Sequence, residues 1–473
     1  MTERRMRYVY LIFLLQLLSL PGIAADTADT SNQWIESALK SNAAHDQQWL
    51  RLGHWKKRGL IGRQFRSEYL SEADGPSLFL APNGKTDPRA ELEATLRAFF
   101  SPPTTKPDEH PQCLFPARFQ WAKNKLKIDT ALTPQPCAER KKWKEQLGAE
   151  GVSLIFASAY LGNAASMFGH TFLKFRSRHN RDGRDLLDYG VNFAAETGAD
   201  GGVPFAVLGL TGGYQGHFTL QPFHQTLREY ANLEGRDLWE YTLNLTQEEL
   251  DFFIDHLFEL ERTSFDYYFL DENCSYHLLG ALEAAKPDLS ATDQFWYQVI
   301  PADSVRVLTS IPNLIGDIRY RPALQTLFQN QAVAATRDQL RLAKALTSLN
   351  ADTRNAALAE NRKQALANQV TALDLALDYG AVLAAKNPND FEPINHQLRG
   401  ERAATGAQTQ ERVIPRPTRP EEGHDPGRLG ISIDHYDTAT GLARRLGLQF
   451  RFAYHDRLSR DEGYLRGTTL EVL

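Results

Sequence analysis

Of the three cysteines in the 473-residue chain, Cys274 stands in the run FLDENCSYHLL, behind an acidic and amide pair and at the head of an apolar, helix-spaced segment. A thiol becomes a nucleophile near pH 7 only as a thiolate, so it needs a base beside it, and the base needs a third group to fix its ring. The base expected is His170 in NAASMFGHTFLKF, at the start of a strand and behind Gly169, where the backbone can pass close to another element. If the chain turns at Asp182 and Gly183, His170 and Asn192 are equidistant from position 181 and face each other across a hairpin. Asn192 is therefore the expected third member, with Asp188 and Tyr189 as substitutes if the register slips. A helix start places Cys274 where unpaired N–H groups and the positive end of the dipole lower a thiol pKa. The same amides can form part of an oxyanion hole. Asn273 and Ser275 flank the thiol, and the Ser166 hydroxyl caps a turn or lines the pocket, which makes these three the substrate-binding or oxyanion candidates.

Each residue also has a plainer reading. A buried cysteine is more often inert packing, and a lone histidine a satisfied core residue. The odd thiol, the helix start and the Gly-His strand in combination favour a nucleophile. Ser166 lacks the Gly-x-Ser-x-Gly context of a serine hydrolase. His217 and His224 have neither His-Glu-x-x-His nor paired cysteines around them, so no metal site and no cofactor is expected. Arg236, in RDLWEY, either lines a groove or is a paired arginine on a half-buried strand, the simpler case. Glu272 is expected to be a solvated or capping carboxylate.

The elements that position these residues begin with an export signal. Arg4, Arg5 and Arg7 precede an apolar block over residues 8–20, followed by Pro21-Gly22 and the small residues Ala24-Ala25. This reads as a signal peptide over residues 1–25, because the block is shorter than the roughly 20 residues of a spanning helix. An uncleaved anchor is the alternative. No cysteine follows the block closely, which argues against a lipid-anchored lipoprotein. An exported, periplasmic or envelope-located chain is expected to pair its thiols. Cys113 and Cys137 share one Pro-rich stretch, and closing that loop contributes roughly 3 kcal/mol in the chain-entropy model. Three unpaired, buried cysteines is the other arrangement. With a net charge of -5 and no basic face, nucleic acid is not a partner.

Residues 26–105 carry mostly helical spacing, and residues 106–301 change character. VSLIFASAYLG, GHTFLKFRS, LLDYGVNFAA and DLWEYTLNL read as strands, NRDGRD as a turn, and TQEELDFFIDHLFELE as a helix opened by the capping box Thr246/Glu249. The Gly-rich stretch 198–216 reads as a loop too long for a connector, and hence as a lid. Residues 302–398 predict two or three packed helices and 399–427 a linker. Residues 428–473 start a β domain whose alternating Leu446, Leu448, Phe450, Phe452 and Tyr454 suggest a larger sheet, truncated here.

SMFGHTFLKF, DYGVNFAAE and DENCSYHLL together resemble the N-terminal periplasmic domain of the Lnb-type lipoprotein N-acyltransferases. That domain resembles the circularly permuted papain-like, NlpC-related group that includes lecithin retinol acyltransferase, in which the histidine strand precedes the cysteine helix. The resemblance covers roughly residues 113–301. It implies an α+β fold with an antiparallel sheet, Cys274 as nucleophile, His170 as base, and acyl-transfer or amide chemistry. The expected substrate is an envelope lipid, a lipoprotein or a cell-wall peptide, with peripheral or outer-membrane association through the C-terminal part. A peptidoglycan amidopeptidase and a non-enzymatic envelope scaffold are the competing readings. An apolar groove at Cys274 favours the acyltransferase, and an open polar cleft favours the peptidase.

Overall fold

The computed structural model describes residues 22–59, 67–128, 132–160, 166–180, 185–198, 201–295, 298–408, 412–438, 441–451, 454–456, 458–460, 464 and 469–471. The apolar block of the signal peptide, the turn at 181–184 and the end of the last strand segment lie outside the described residues.

The N-terminal helical spacing resolves into α1 (Gly22–Lys40), α2 (Gln47–Leu52) and α3 (Pro88–Phe99). What reads as one long helix breaks because Asn42 is left-handed, at φ 58°, and Asp46 caps the new helix by accepting from the amides of Gln48 and Trp49. A short ladder of β1 (Trp55–Lys57) and β2 (Tyr69–Ser71) interrupts the region, which the helical reading did not anticipate. Cys113 and Cys137 are bonded, with Cα atoms 5.1 Å apart, and Cys274 is free. α4 (Pro116–Leu126) and α5 (Ala138–Leu147) follow.

One antiparallel sheet of seven strands carries the centre of the molecule. Its members are β3 (Ala149–Ala157), β4 (His170–Ser177), β5 (Tyr189–Ala195), β6 (Tyr214–Pro222), β7 (Leu238–Leu243), β8 (Phe265–Tyr267) and β9 (Ile315–Arg321), in the order β8-β6-β5-β4-β3-β7-β9. Between β5 and β6 the Gly-rich stretch is not irregular. It forms α6 (Gly202–Thr211), ended by Gly212 in the left-handed region at φ 75°. α7 (Gln247–Leu260) opens with the Thr246/Glu249 capping box. α8 (Cys274–Ala285) lies against β4 and β5, and α9 (Pro301–Ser310) packs on it.

α8 is buried on almost every side, as a helix apolar all round its circumference must be. Leu278, Leu279 and Leu282 each contribute about 2 kcal/mol of burial, so the thiol at its first position is held by a rigid element. A continuous core runs from Ile35 and Trp49 through the sheet to Leu314. The N-terminal helices join it through buried ions: Arg118 lies 2.8 Å from Glu91, and Glu259 on α7 accepts from the amides of Ala117 and Arg118 at the start of α4.

α10 (Leu324–Ala334), α11 (Arg337–Leu346), α12 (Ala351–Asn361), α13 (Leu366–Lys386) and α14 (Pro388–Ala404) form a second core, where two or three helices were expected. Part of the stretch read as a linker is anchored. Tyr241 donates to Glu421, and Arg306 donates to the carbonyls of Glu421 and Gly423 at 3.1 Å each. β10 (Arg428–Thr438) and β11 (Gly441–Arg451) pair as a hairpin whose Leu429, Ile431, Ile433, Leu446, Leu448 and Phe450 are exposed on one face.

Candidate functional site

Sheet parity brings the base and its partner together. β4 and β5 pair Leu173 with Val191, Lys174 with Gly190 and Phe175 with Tyr189. Extended, this register sets Asn192 opposite Phe172, two residues away from the expected facing of His170 and Asn192. An offset of two keeps the side chains on one face, and diagonal neighbours remain in reach. His170 Nε2 and Asn192 Oδ1 are 2.8 Å apart. Because the amide oxygen accepts, Nε2 carries the proton and Nδ1 is left for another partner. Asn192 Nδ2 in turn donates to the Tyr230 hydroxyl at 3.2 Å. The Tyr230 ring lies 5.2 Å from the imidazole, and the Arg236 guanidinium covers its other side at 5.1 Å. Arg236 is buried, pairs with Glu234 and donates to the carbonyls of Ala157 and Ser158. It is a structural arginine beside the histidine strand.

Gly169 sits at φ 101°, and a Cβ there would fall 2.6 Å from the Phe156 ring. Only glycine lets the chain enter β4 so close to β3. Ser166 works through its backbone, accepting at its carbonyl from the amides of Tyr160 and Gly169. It is the neighbouring Met167 and Phe168 that line the pocket.

Cys274 is 3% exposed. The Asn273 oxygen accepts from the amides of Ser275 and Tyr276, and its Nδ2 donates to the carbonyls of Val299, at 2.6 Å, and Phe269. Asn273 is thus a helix cap that pins the preceding loop, and its amide is fully engaged rather than aimed at an oxyanion. The Ser275 hydroxyl bonds Thr171 at 2.9 Å and lies 4.0 Å from the sulfur. The Cys274 amide donates to the Tyr267 hydroxyl at 3.3 Å. Sequence reasoning missed Tyr267 and Tyr230. Both look like ordinary core aromatics, although Tyr230 rides a π-helical turn, Arg228–Leu233, a feature frequent at functional sites.

Burial alone would raise the thiol pKa. The His170 imidazole, through its charge and a hydrogen bond, overcomes burial with help from the Thr171 amide and the Ser275 hydroxyl, and brings it down to about 6. Burial likewise opposes protonation of His170, and the sulfur reverses that effect, leaving its pKa raised. Both shifts run in the direction that favours a thiolate beside an imidazolium. His277, one turn on from the cysteine, plays no part. Its ring is packed 4.5 Å from Phe193 and 4.4 Å from Phe265, with burial holding it well below the ordinary histidine range.

Cys274 is among the residues that line a cavity of about 120 Å³. Ala206 and Leu210 of α6 form one wall, Met167 and Phe168 another, with Tyr267, Phe269 and the residues opening α9 closing it. Glu272, read as a solvated or capping carboxylate, is only partly exposed, and the cap of α8 is Asn273 instead. Burial, together with Glu72 and Asp271, pushes its pKa up to about 8. His217 lies on β6, 3.9 Å from Glu196, and His224 is the second residue of a short helix after that strand. No helix among the described residues is long and apolar enough to cross a membrane.

Residues 139–311 match the family model of the Lnb N-terminal periplasmic domain. Residues 41–125 match a domain of unknown function, DUF7843, and residues 417–473 another, DUF7840. No curated protein and no solved structure matches the chain significantly. The segment that holds Cys274, His170 and Asn192 therefore matches the Lnb N-terminal periplasmic domain, as expected of an envelope-related protein.

Proposed function

We propose that this protein is an exported, cysteine-dependent acyltransferase or hydrolase with a permuted papain-like, NlpC-related core. The supporting observation is the junction of a thiol, brought down to about 6 by its imidazole neighbour, with a cavity walled mainly by apolar side chains. The cavity favours an acyl chain over a polar stem peptide.

In this reading the Cys274 thiolate attacks the acyl carbonyl and a carbon–sulfur bond forms. The developing oxyanion accepts from the Cys274 amide and from the Tyr267 hydroxyl, which part to admit it. As the tetrahedral species collapses, the bond to the leaving alcohol or amine breaks and that group takes the His170 proton. The product is a thioester on Cys274. An incoming amine or water then gives its proton to His170, attacks the thioester, and releases the thiolate. Asn192 holds the imidazole in one orientation throughout.

The test is mass spectrometry of the purified protein after incubation with an envelope lipid and peptide extract. A fatty-acyl adduct on Cys274, absent in His170→Ala, is the expected result. A stem-peptide adduct would transfer the site to cell-wall amide chemistry. A thiol no more reactive than a free cysteine, with Cys274→Ala complementing a deletion, would make the protein a scaffold.

A further inference from the structure

Helix α6 has an outer face that the chemistry does not use. Val203, Val207 and Leu210 are 76%, 52% and 50% exposed. Their spacing of four and three sets them in one stripe. From Gly201 to Gly213 the sequence has no charged residue. Single exposed aliphatics are ordinary on a soluble protein, but a surface helix normally turns a polar face to water, and α6 turns an apolar one. The inner side of the same helix, at Ala206 and Leu210, is a wall of the cavity that Cys274 also lines. Leu210 belongs to both surfaces, so the exposed stripe continues into the acyl site.

The helix is tied to the loop that leads into Cys274: the Phe269 amide donates to the Gly209 carbonyl at 2.8 Å, and Phe205, in the first turn, packs on Phe269 at 4.9 Å. Around Gly201 and Gly202, nothing would come within 4 Å of an added side chain.

We propose that α6 is a membrane-docking lid. Its Val203, Val207 and Leu210 edge enters the apolar boundary of a lipid bilayer, and an acyl chain passes from the bilayer along Leu210 and Ala206 to Cys274. The direction of this path rests on the acyl-transfer reading above, while the docking itself does not. The occupant is a lipid surface because the stripe is purely aliphatic, lacks hydrogen-bonding side chains and leads into an apolar cavity. With no basic residue along α6 and acidic Asp271 and Glu272 nearby, docking is apolar rather than electrostatic. It is therefore insensitive to salt, unlike the binding of a polybasic segment.

The experiment is co-sedimentation of the full-length Cys274→Ala protein with phosphatidylcholine vesicles. We expect partitioning that is unchanged between 50 mM and 500 mM salt and that falls about tenfold or more in Val203→Asp/Val207→Asp. A second variant, Val207→Trp, reports insertion directly, through a blue shift and quenching by brominated lipid. Turnover of a soluble short-chain ester by Val203→Asp/Val207→Asp with Cys274 intact shows that the fold and site survive. Unchanged partitioning of the double Asp variant, or Val207→Trp emission indifferent to vesicles, overturns the inference and leaves the chemistry standing. Binding of the stripe to a protein but not to vesicles overturns it as well. Salt-insensitive partitioning without any Cys274 thioester supports docking and removes the proposed chemistry instead.

Discussion

The His170–Cys274 pair makes a quantitative demand on thiol reactivity. With the thiol at about 6, about nine-tenths is ionised at pH 7, against about one-hundredth for a thiol at its ordinary value of 9.0. Thiolates of low pKa are intrinsically less nucleophilic, which reduces the advantage. A net gain of about three- to sixfold in alkylation rate over a cysteine of the same accessibility should remain. His170→Ala removes the largest of the groups that lower the pKa and leaves burial opposed only by the Thr171 amide and the Ser275 hydroxyl, so the inflection should move upward from about 6. At pH 7 the rate should then fall by about three- to sixfold. Asn192→Ala should lie between the two, because the imidazole stays but its orientation is lost. The assay is iodoacetamide labelling of Cys274, followed by mass spectrometry from pH 4 to 10. The disulfide-bonded Cys113 and Cys137 do not compete for label. A wild-type inflection near 9, or one that His170→Ala fails to move, would refute the thiolate–imidazolium reasoning.

Tyr267→Phe removes one donor from the oxyanion position and should lower acyl transfer by about 100-fold, while iodoacetamide labelling changes less than threefold; equal loss in both assays would assign the hydroxyl to the sulfur instead. Gly169→Ala forces a side chain into φ 101° and against Phe156. It should cost about 2–3 kcal/mol in urea unfolding and slow Cys274 labelling by displacing His170. Glu272 has a folded pKa of about 8, above its unfolded value of 4.5. Its favourable contribution is therefore complete below pH 4.5 and is lost as pH rises to 8. Glu272→Gln should match wild type in urea midpoint at pH 4 and exceed it by about 2 kcal/mol at pH 8, after allowance for partial exposure.

What the sequence revealed about this site depended on short-range rules. Cys274 could be placed at a helix start because an Asn cap followed by apolar spacing is a local pattern, and Asn273 does cap. Asn192 was found despite a register two residues off, because the side-chain period of a strand is two and even errors preserve the face. Had the error been one residue, Asn192 would have been lost from the site. Local rules fail where flanking residues mask the pattern. α6 looked like a loop because glycines surround it, and its ten residues, apolar on every side, are too few and too uniform to establish a helical period. β9 was missed because it is an edge strand whose burial is shared with β7 rather than alternating along its own sequence.

The least legible residues were two phenols. Tyr230 reaches Asn192 from a π-helical turn 38 residues on, and Tyr267, seven residues ahead of Cys274, reaches its amide from the edge strand β8. Each is a phenol in apolar surroundings, indistinguishable by type and spacing from core packing. Each hydroxyl is nonetheless spent on a buried polar partner, as buried tyrosines require. The two differ in consequence. Tyr230 bonds the far side of Asn192 and so acts on the thiol only through two other groups, which makes it a positioning residue. Tyr267 meets both the backbone donor and the cavity, and in the proposed mechanism the carbonyl oxygen comes between that hydroxyl and the amide. The polarity of the cavity is therefore concentrated where charge would develop, beside the sulfur, and its length is left to the hydrocarbon.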